Sequence, residues 1–103
     1  MSDVRVELPT EEQWLEHVDS TFRTTLADGR AVDLHFLRLD PGRSSPRQES
    51  FALIFKTPLD MPPLQGLFHL EHDKLEPMDL FLVPVNQKED GLIFEAVINL
   101  LID

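Results

Sequence analysis

The chain has 103 residues, a formal net charge of −10 and no cysteine. A chain of this length predicts one domain, residues 1–103. The negative charge argues against a nucleic-acid binder, because such proteins need a basic surface. The absence of cysteine excludes disulfides, cysteine-based zinc sites and thiol nucleophiles.

Nothing in the sequence indicates an export signal or a membrane span. Residues 1–10 are acidic and have no apolar run, unlike a secretory signal. No segment approaches the roughly 18 apolar residues of a membrane helix. We therefore expect a cytoplasmic protein without membrane contact, whose residues 1–9 form a flexible N-terminus.

One helix is predicted over residues 11–19. Thr10 can cap it, and Gln13 stands at the spacing of a capping box. The apolar residues fall at helical spacing and predict one buried stripe. These residues are Trp14, Leu15 and Val18.

A β-hairpin is predicted next. Residues 22–26 alternate in polarity, Asp28-Gly29 is a strong turn signal, and residues 31–39 form the return strand. The apolar phase of the return strand shifts by one residue near Phe36-Leu37, which predicts a β-bulge or bend. Such a bend lets a small sheet curl into a barrel or sandwich.

The stretch 51–72 organises the predicted fold. Residues 51–55 are apolar on both strand faces, which favours a central strand covered on both sides. Prolines at 58, 62 and 63 end that strand. We interpret Gln65 and Gly66 as a structural turn, because glycine can adopt a positive φ, with a backbone site for a ligand as the alternative.

Three more strands are predicted, over residues 67–71, 78–85 and 92–102. Pro84 places its end of the second of these strands at a sheet edge or terminus. Glu95 and Asn99 are polar residues on an otherwise apolar face of the last strand. Because buried polar groups need partners, we expect both to pair with a neighbouring backbone group or arginine, or to face solvent.

The predicted fold class is mainly β, with about seven strands and one N-terminal α-helix. No helix falls between strands, which favours a small antiparallel β-sandwich or a partly open β-barrel. The expected core consists of the apolar residues that alternate along the central and last strands. These are Phe51, Leu53, Phe55, Phe81, Val83, Phe94 and Ile98.

The sequence contains no catalytic signature. The cluster His69-Leu70-Glu71-His72 lacks the HExxH spacing of a zinc protease, and we predict no tight zinc site there, with a site completed by Asp73 as the alternative. The serines lack a GxSxG context, and no glycine-rich phosphate loop occurs. We predict no catalytic residue, no cofactor and no metal, so an enzyme is a minor alternative.

A partner surface is predicted in the loop over residues 40–50. This loop lies in residues 21–56, the one net-positive third of the chain, and contains Arg43 and Arg47. Arginine forms bidentate bonds to carboxylates or phosphates, so we expect these two residues to contact a protein partner or a second copy of the chain. A solvated connector is the alternative. The acidic remainder serves solubility or docks a basic protein.

From about residue 14 to residue 100 the chain resembles a small bacterial β-domain family of unknown function. The resemblance rests on FALIF followed by KTP, then LQG, LEH, LFLVPV and FEAVIN. Lys56-Thr57 departs from the family's more usual basic residue plus glycine, and Leu64 replaces a proline. Members resemble accessory proteins encoded near phage-tail-like and tail-collar proteins, which implies a structural or adaptor role.

Three functions are consistent with these observations. The first is a non-enzymatic protein-interaction or structural accessory module, in the setting of a phage-tail-like assembly that the resemblance implies. The second is a small β-barrel that binds an apolar ligand, because many apolar residues occur on both strand faces. The third, with the least support, is a hydrolytic enzyme.

Overall fold

The computed structural model describes residues 9–42, 45–46 and 48–101. Within these residues one helix precedes six strands, where about seven strands were predicted. The elements are α1 (Glu11–Leu15), β1 (Thr21–Thr25), β2 (Ala31–Pro41), β3 (Gln48–Thr57), β4 (Gly66–Leu70), β5 (Met78–Lys88) and β6 (Gly91–Leu101). All neighbouring strands are antiparallel, in the order β1-β2-β3-β6-β5-β4. No helix in the described ranges is long and apolar enough to cross a membrane.

The two outermost strands meet and nearly close the sheet into a barrel. Arg23 of β1 and Glu71, just after β4, exchange two backbone hydrogen bonds of 2.9 and 2.8 Å. This antiparallel bridge is the closing seam of the barrel. The mainly β fold with one short N-terminal helix is therefore confirmed, as a nearly closed six-stranded barrel.

Two β-bulges bend the sheet into this shape. The register of β2 against β3 shifts between Phe36 and Arg38, which makes Leu37 the extra residue and confirms the predicted bulge. A second shift, between Pro84 and Asn86 of β5, makes Val85 the extra residue. A bulge increases local twist and bends its strand. Strands β2 and β5 therefore curve around the core.

Pro84 lies inside β5 but beside a free strand edge. β4 pairs with β5 only as far as Leu82, and β6 pairs with β5 on the other side. The missing N–H of Pro84 therefore interrupts no ladder towards β4.

The β1–β2 hairpin closes as predicted at Asp28-Gly29. The Gly29 N–H donates to the Leu26 carbonyl at 2.9 Å, and the Leu26 N–H donates to the Arg30 carbonyl at 2.8 Å. Gly29 has a φ of +89°, a conformation that is costly for residues with a Cβ. This is the three-residue loop in which a type I turn is followed by a left-handed residue.

Large apolar side chains fill the barrel interior. Trp14 and Phe22 have ring centroids 5.6 Å apart, and Phe36 and Phe55 have centroids 5.3 Å apart. On β6, Phe94 and Ile98 point into the interior, as predicted. The largest fully buried side chains are Trp14, Phe22, Phe36, Phe51, Phe55, Phe94, Leu34, Leu53, Met61, Leu70, Leu80 and Leu82.

Two predicted core residues lie outside the interior. Phe81 is 51% exposed, and Val83 is half-buried on the outer side of the sheet. The inner face of β5 is taken by Met78, Leu80 and Leu82, which are 3%, 2% and 0% exposed. Because successive strand residues point to opposite faces, Phe81 and Val83 must point outwards.

Helix α1 closes one end of the barrel with a single buried side chain. The predicted capping box is present, since the Gln13 N–H donates to Thr10 Oγ1 and the Thr10 N–H donates to Gln13 Oε1. The helix ends at Leu15 instead of residue 19, and Leu15 is 51% exposed. Asp19, with a φ of +71°, turns the chain into β1. Pro9, assigned to the flexible N-terminus, is buried.

The connection over residues 58–65 crosses the opposite end. It joins β3 to β4, which lie on opposite sides of a barrel with this strand order. Met61 in this connection is 1% exposed and belongs to the core. Gly66 is the first residue of β4 and its φ is not positive, so the structure has no tight left-handed turn at Gln65-Gly66. The pair lies where the connection enters β4.

The interior and outer phenylalanines provide a matched test of the fold. We expect Phe36→Ala to lower the free energy of unfolding by about 3–5 kcal/mol, because it leaves a cavity in the aromatic cluster. Phe81→Ala, at a half-exposed position, should lower it by about 1 kcal/mol or less. Urea denaturation followed by tryptophan fluorescence measures both values. Equal losses would contradict the assignment of the two faces.

Candidate functional site

The residues singled out in the sequence fall in different parts of the molecule. Arg43 and Arg47 lie outside the described residues, so their contact with a partner stays a prediction. Glu95 and Asn99 lie on the outer face of β6, where Asn99 is exposed and Glu95 half-buried. Asn99 Oδ1 accepts a hydrogen bond from Gln48 Nε2 at 3.2 Å.

Two histidines meet beside the closing seam, which was not predicted. The His17 and His72 rings are 5.0 Å apart, and His72 also lies 4.5 Å from the Phe22 ring. His72 Nε2 is 2.9 Å from Ser20 Oγ, and its Nδ1 is 3.0 Å from the Lys74 backbone nitrogen. We call His17, Ser20 and His72 the histidine cluster.

The hydrogen bonds of the histidine cluster do not fit a nucleophile. Because the Lys74 N–H donates to Nδ1, the neutral ring must carry its proton on Nε2 and donate to Ser20 Oγ. Ser20 in turn donates to the His17 carbonyl. A general base would accept the serine proton instead, so the observed arrangement does not activate Ser20.

His69 is directed away from this cluster. Its Nδ1 lies 2.8 Å from Asp79 Oδ1 across the β4–β5 ladder, and both side chains are exposed. In the described ranges no three histidine or acidic residues are placed to hold one metal ion. The absence of a tight zinc site at His69 and His72 stays a prediction.

The outer surface of β3, β6, β5 and β4 carries a continuous set of apolar side chains. Leu67, Phe81 and Val97 are 70%, 51% and 61% exposed. Leu67 pairs with Phe81 across β4–β5, and Val97 pairs with Ala52 across β6–β3. We call this set the outer apolar face. Its members are Ala52, Ile54, Leu67, Phe81, Val83 and Val97.

Glu95 lies within the outer apolar face. It pairs with Ile54 of β3 on one side and with Val83 of β5 on the other. Along β6, the next residues that point outwards are Ile93 and Val97. Glu95 is thus a half-buried residue whose neighbours across and along the strands are aliphatic.

The charged groups at the margin of this face are paired with one another. Arg38 Nε lies 3.0 Å from Asp40 Oδ1, and Lys56 Nζ lies 2.7 Å from Asp90 Oδ2. The hydrogen bond and positive charge of Lys56 hold the pKa of Asp90 below its ordinary value. No such partner approaches Glu95 from the described part of the chain.

A family model described as a domain of unknown function, DUF6916, matches residues 9–98. The chain belongs to the DUF6916 family. No curated protein and no solved structure matches it. The match spans the barrel from the start of α1 to near the end of β6, so this DUF6916 domain includes both the histidine cluster and the outer apolar face.

Several clefts on the described part of the DUF6916 barrel open to solvent, and both polar and apolar residues line them. One cleft lies between α1 and the β4–β5 connection, and is lined by Gln13, Asp73, Lys74 and Glu76 with a few apolar residues. Two others adjoin the histidine cluster. Buried core side chains, many of them aromatic, fill the interior space that a ligand-binding barrel would need.

Sequence reasoning missed the outer apolar face of the DUF6916 barrel for a physical reason. The run Leu80-Phe81-Leu82-Val83 is apolar on both faces, so alternation could not tell which side is buried. The flanking polar residue Asp79 was the available signal. Asp79 is exposed and shares its face with Phe81, which places Phe81 outside.

His72 makes folding pH-dependent in a defined direction. Partial burial, together with the nearby His17, lowers the pKa of His72 from its ordinary 6.5. As the pH falls through 6.5, the unfolded chain takes up this proton before the folded chain does. His72 therefore does not reduce the free energy of unfolding above that pH. The reduction grows as the pH falls towards the pKa of His72 in the folded state.

We expect the His72 ring to titrate with a midpoint below 6.5 in NMR spectra of the folded protein. His72→Gln has no proton to take up, so its melting temperature should fall less than that of the unmodified chain between about pH 7 and pH 5.5. A midpoint at or above the ordinary value, or an unchanged pH dependence in the variant, would contradict the assignment.

Proposed function

We propose that this DUF6916 chain is a non-enzymatic protein-interaction module that binds a protein partner through the outer apolar face. The observation that carries the proposal is the exposure of Leu67, Phe81 and Val97, at 70%, 51% and 61%, on three neighbouring strands. Single exposed apolar residues are ordinary, whereas a contiguous apolar patch marks an interaction site.

The position of these residues on strands favours binding. The outer apolar face is built on the β3–β6 and β4–β5 ladders, whose inner sides are held by the buried core. A partner therefore contacts a surface whose backbone is already ordered, and less conformational entropy is lost on association. Removal of apolar surface from water then favours association.

The other candidate functions have less support. A barrel that holds an apolar ligand needs interior space, and the described interior is occupied by Trp14 and the buried phenylalanines. A serine hydrolase needs a base that accepts the serine proton, whereas Ser20 Oγ accepts a hydrogen bond from the His72 Nε2–H. A place in a phage-tail-like assembly is one setting for such a module and stays a prediction.

The test compares two apolar positions of equal exposure. Phe81 on the outer apolar face and Leu15 on α1 are both 51% exposed. We expect Phe81→Asp to abolish capture of a specific protein from a native lysate, because it places a charge where the partner packs. Leu15→Asp should leave that capture unchanged. Quantitative mass spectrometry of matched pull-downs measures the difference.

Thermal melting of the three proteins controls for folding, since both substitutions are at the surface and should shift the melting temperature only slightly. Captured proteins that are the same for all three baits, with the baits folded, would refute binding through this face. Loss of binding in the Leu15 variant alone would move the site to α1.

A further inference from the structure

The outer apolar face has one feature that limits what can cover it. By strand register Glu95 lies among Ile54, Val83, Ile93 and Val97, and the residue is half-buried before any partner binds. Ile54 and Ile93 are only 3% and 8% exposed. Two of the four residues next to Glu95 are therefore already shielded from water.

The described residues provide no positive charge to this carboxylate. Arg38 and Lys56 occupy neighbouring positions of the outer surface, and they pair with Asp40 and Asp90 at 3.0 and 2.7 Å. Of the lysine, arginine and histidine nitrogens in the described ranges, none forms an ion pair or hydrogen bond with Glu95. Water is therefore what solvates Glu95 in the free chain.

A purely apolar partner would remove that water and leave a buried, unpaired charge. This desolvation is strongly unfavourable unless an opposite charge and hydrogen bonds replace the water. Lysine and arginine satisfy both demands, because their aliphatic stems pack on apolar surface while the charged group reaches a carboxylate. The chemistry around Glu95 fits such a side chain.

A second copy of the chain fits this requirement poorly. A two-fold contact through the same face would bury one Glu95 carboxylate from each copy in the interface, since the same patch is used on both sides. Each copy carries a net charge of −10, so association is also opposed at longer range. The neighbouring cations Arg38 and Lys56 are already paired within their own chain.

Resting on the proposed function, we infer that the partner is a protein segment that presents a lysine or arginine, flanked by apolar side chains, to Glu95. The flanking side chains cover Phe81, Val97 and Leu67, and the cation pairs with the carboxylate between them. Charge complementarity thus sets which segments bind, and the apolar contacts set how strongly they bind.

The experiment uses a phage-displayed library of linear random peptides selected on the immobilised chain. We expect enriched peptides to contain a lysine or arginine between apolar residues. Glu95→Gln, which keeps the shape and removes the charge, should weaken the binding of a selected synthetic peptide at least tenfold, since one partner of a desolvated charge pair is lost. Selection on Glu95→Lys should enrich acidic residues instead.

Two further variants separate this inference from the proposed function. Peptides that bind through the face should lose binding in Phe81→Asp and keep it in Leu15→Asp. If the peptides depend on Phe81 but contain no basic residue and bind Glu95→Gln equally well, the inference fails and the proposed interaction surface stands. If no selected peptide depends on Phe81, both fail.

Self-association is measured in parallel by analytical ultracentrifugation of the full chain. We expect a monomer at micromolar concentration in the unmodified chain and in Phe81→Asp. A dimer that dissociates on Phe81→Asp would place a second copy on the face and overturn the inference.

Discussion

The ladder between β3 and β6 is the interaction on which the rest of the structure depends. It runs without interruption from Gln48 paired with Leu101 to Thr57 paired with Leu92. Its inner side pairs Phe55 with Phe94 and so builds the aromatic interior. Its outer side pairs Ile54 with Glu95. A slip of one residue would exchange the two sides, so burial of the phenylalanines also fixes the position of Glu95.

The curvature of the barrel is produced by few residues. Leu37 and Val85 are each the additional residue of a bulge in the middle strand of its half. At the β5–β6 hairpin, a Cβ on Gly91 would lie 2.4 Å from the Thr57 carbonyl oxygen. Only glycine permits this approach of the hairpin to Thr57 at the end of β3, where the last pair of the β3–β6 ladder lies.

Sequence reasoning recovered the features whose signals are local. The capping box at Thr10, the Asp28-Gly29 hairpin and the bulge near Leu37 all follow from spacing within a few residues. The inner face of β6 followed from regular alternation. Phe81 could not be assigned in this way, because residues 80–83 are apolar on both faces and only pairing with β4 and β6 decides which face is buried.

The candidate sites were harder to foresee, because they join distant parts of the chain. His17 and His72 meet only after the seam brings β1 beside β4. Glu95 was recognised in the sequence as a polar residue on an apolar face. The exposure of that face follows from the pairing of β5 with β6, which the sequence does not show. The pairing of Arg38 and Lys56 with acidic residues likewise follows from the folded structure.

The strand order divides the barrel into two three-stranded meanders, β1-β2-β3 and β4-β5-β6, joined by residues 58–65. Each begins with a five-residue strand and has a bulge in its middle strand. Two copies that exchanged one meander would keep every ladder and the seam, and only the joining segment would change conformation. Pro58, Pro62 and Pro63 restrict φ in that segment. Its stiffness and the burial of Met61 oppose the exchange and favour a barrel closed within one chain.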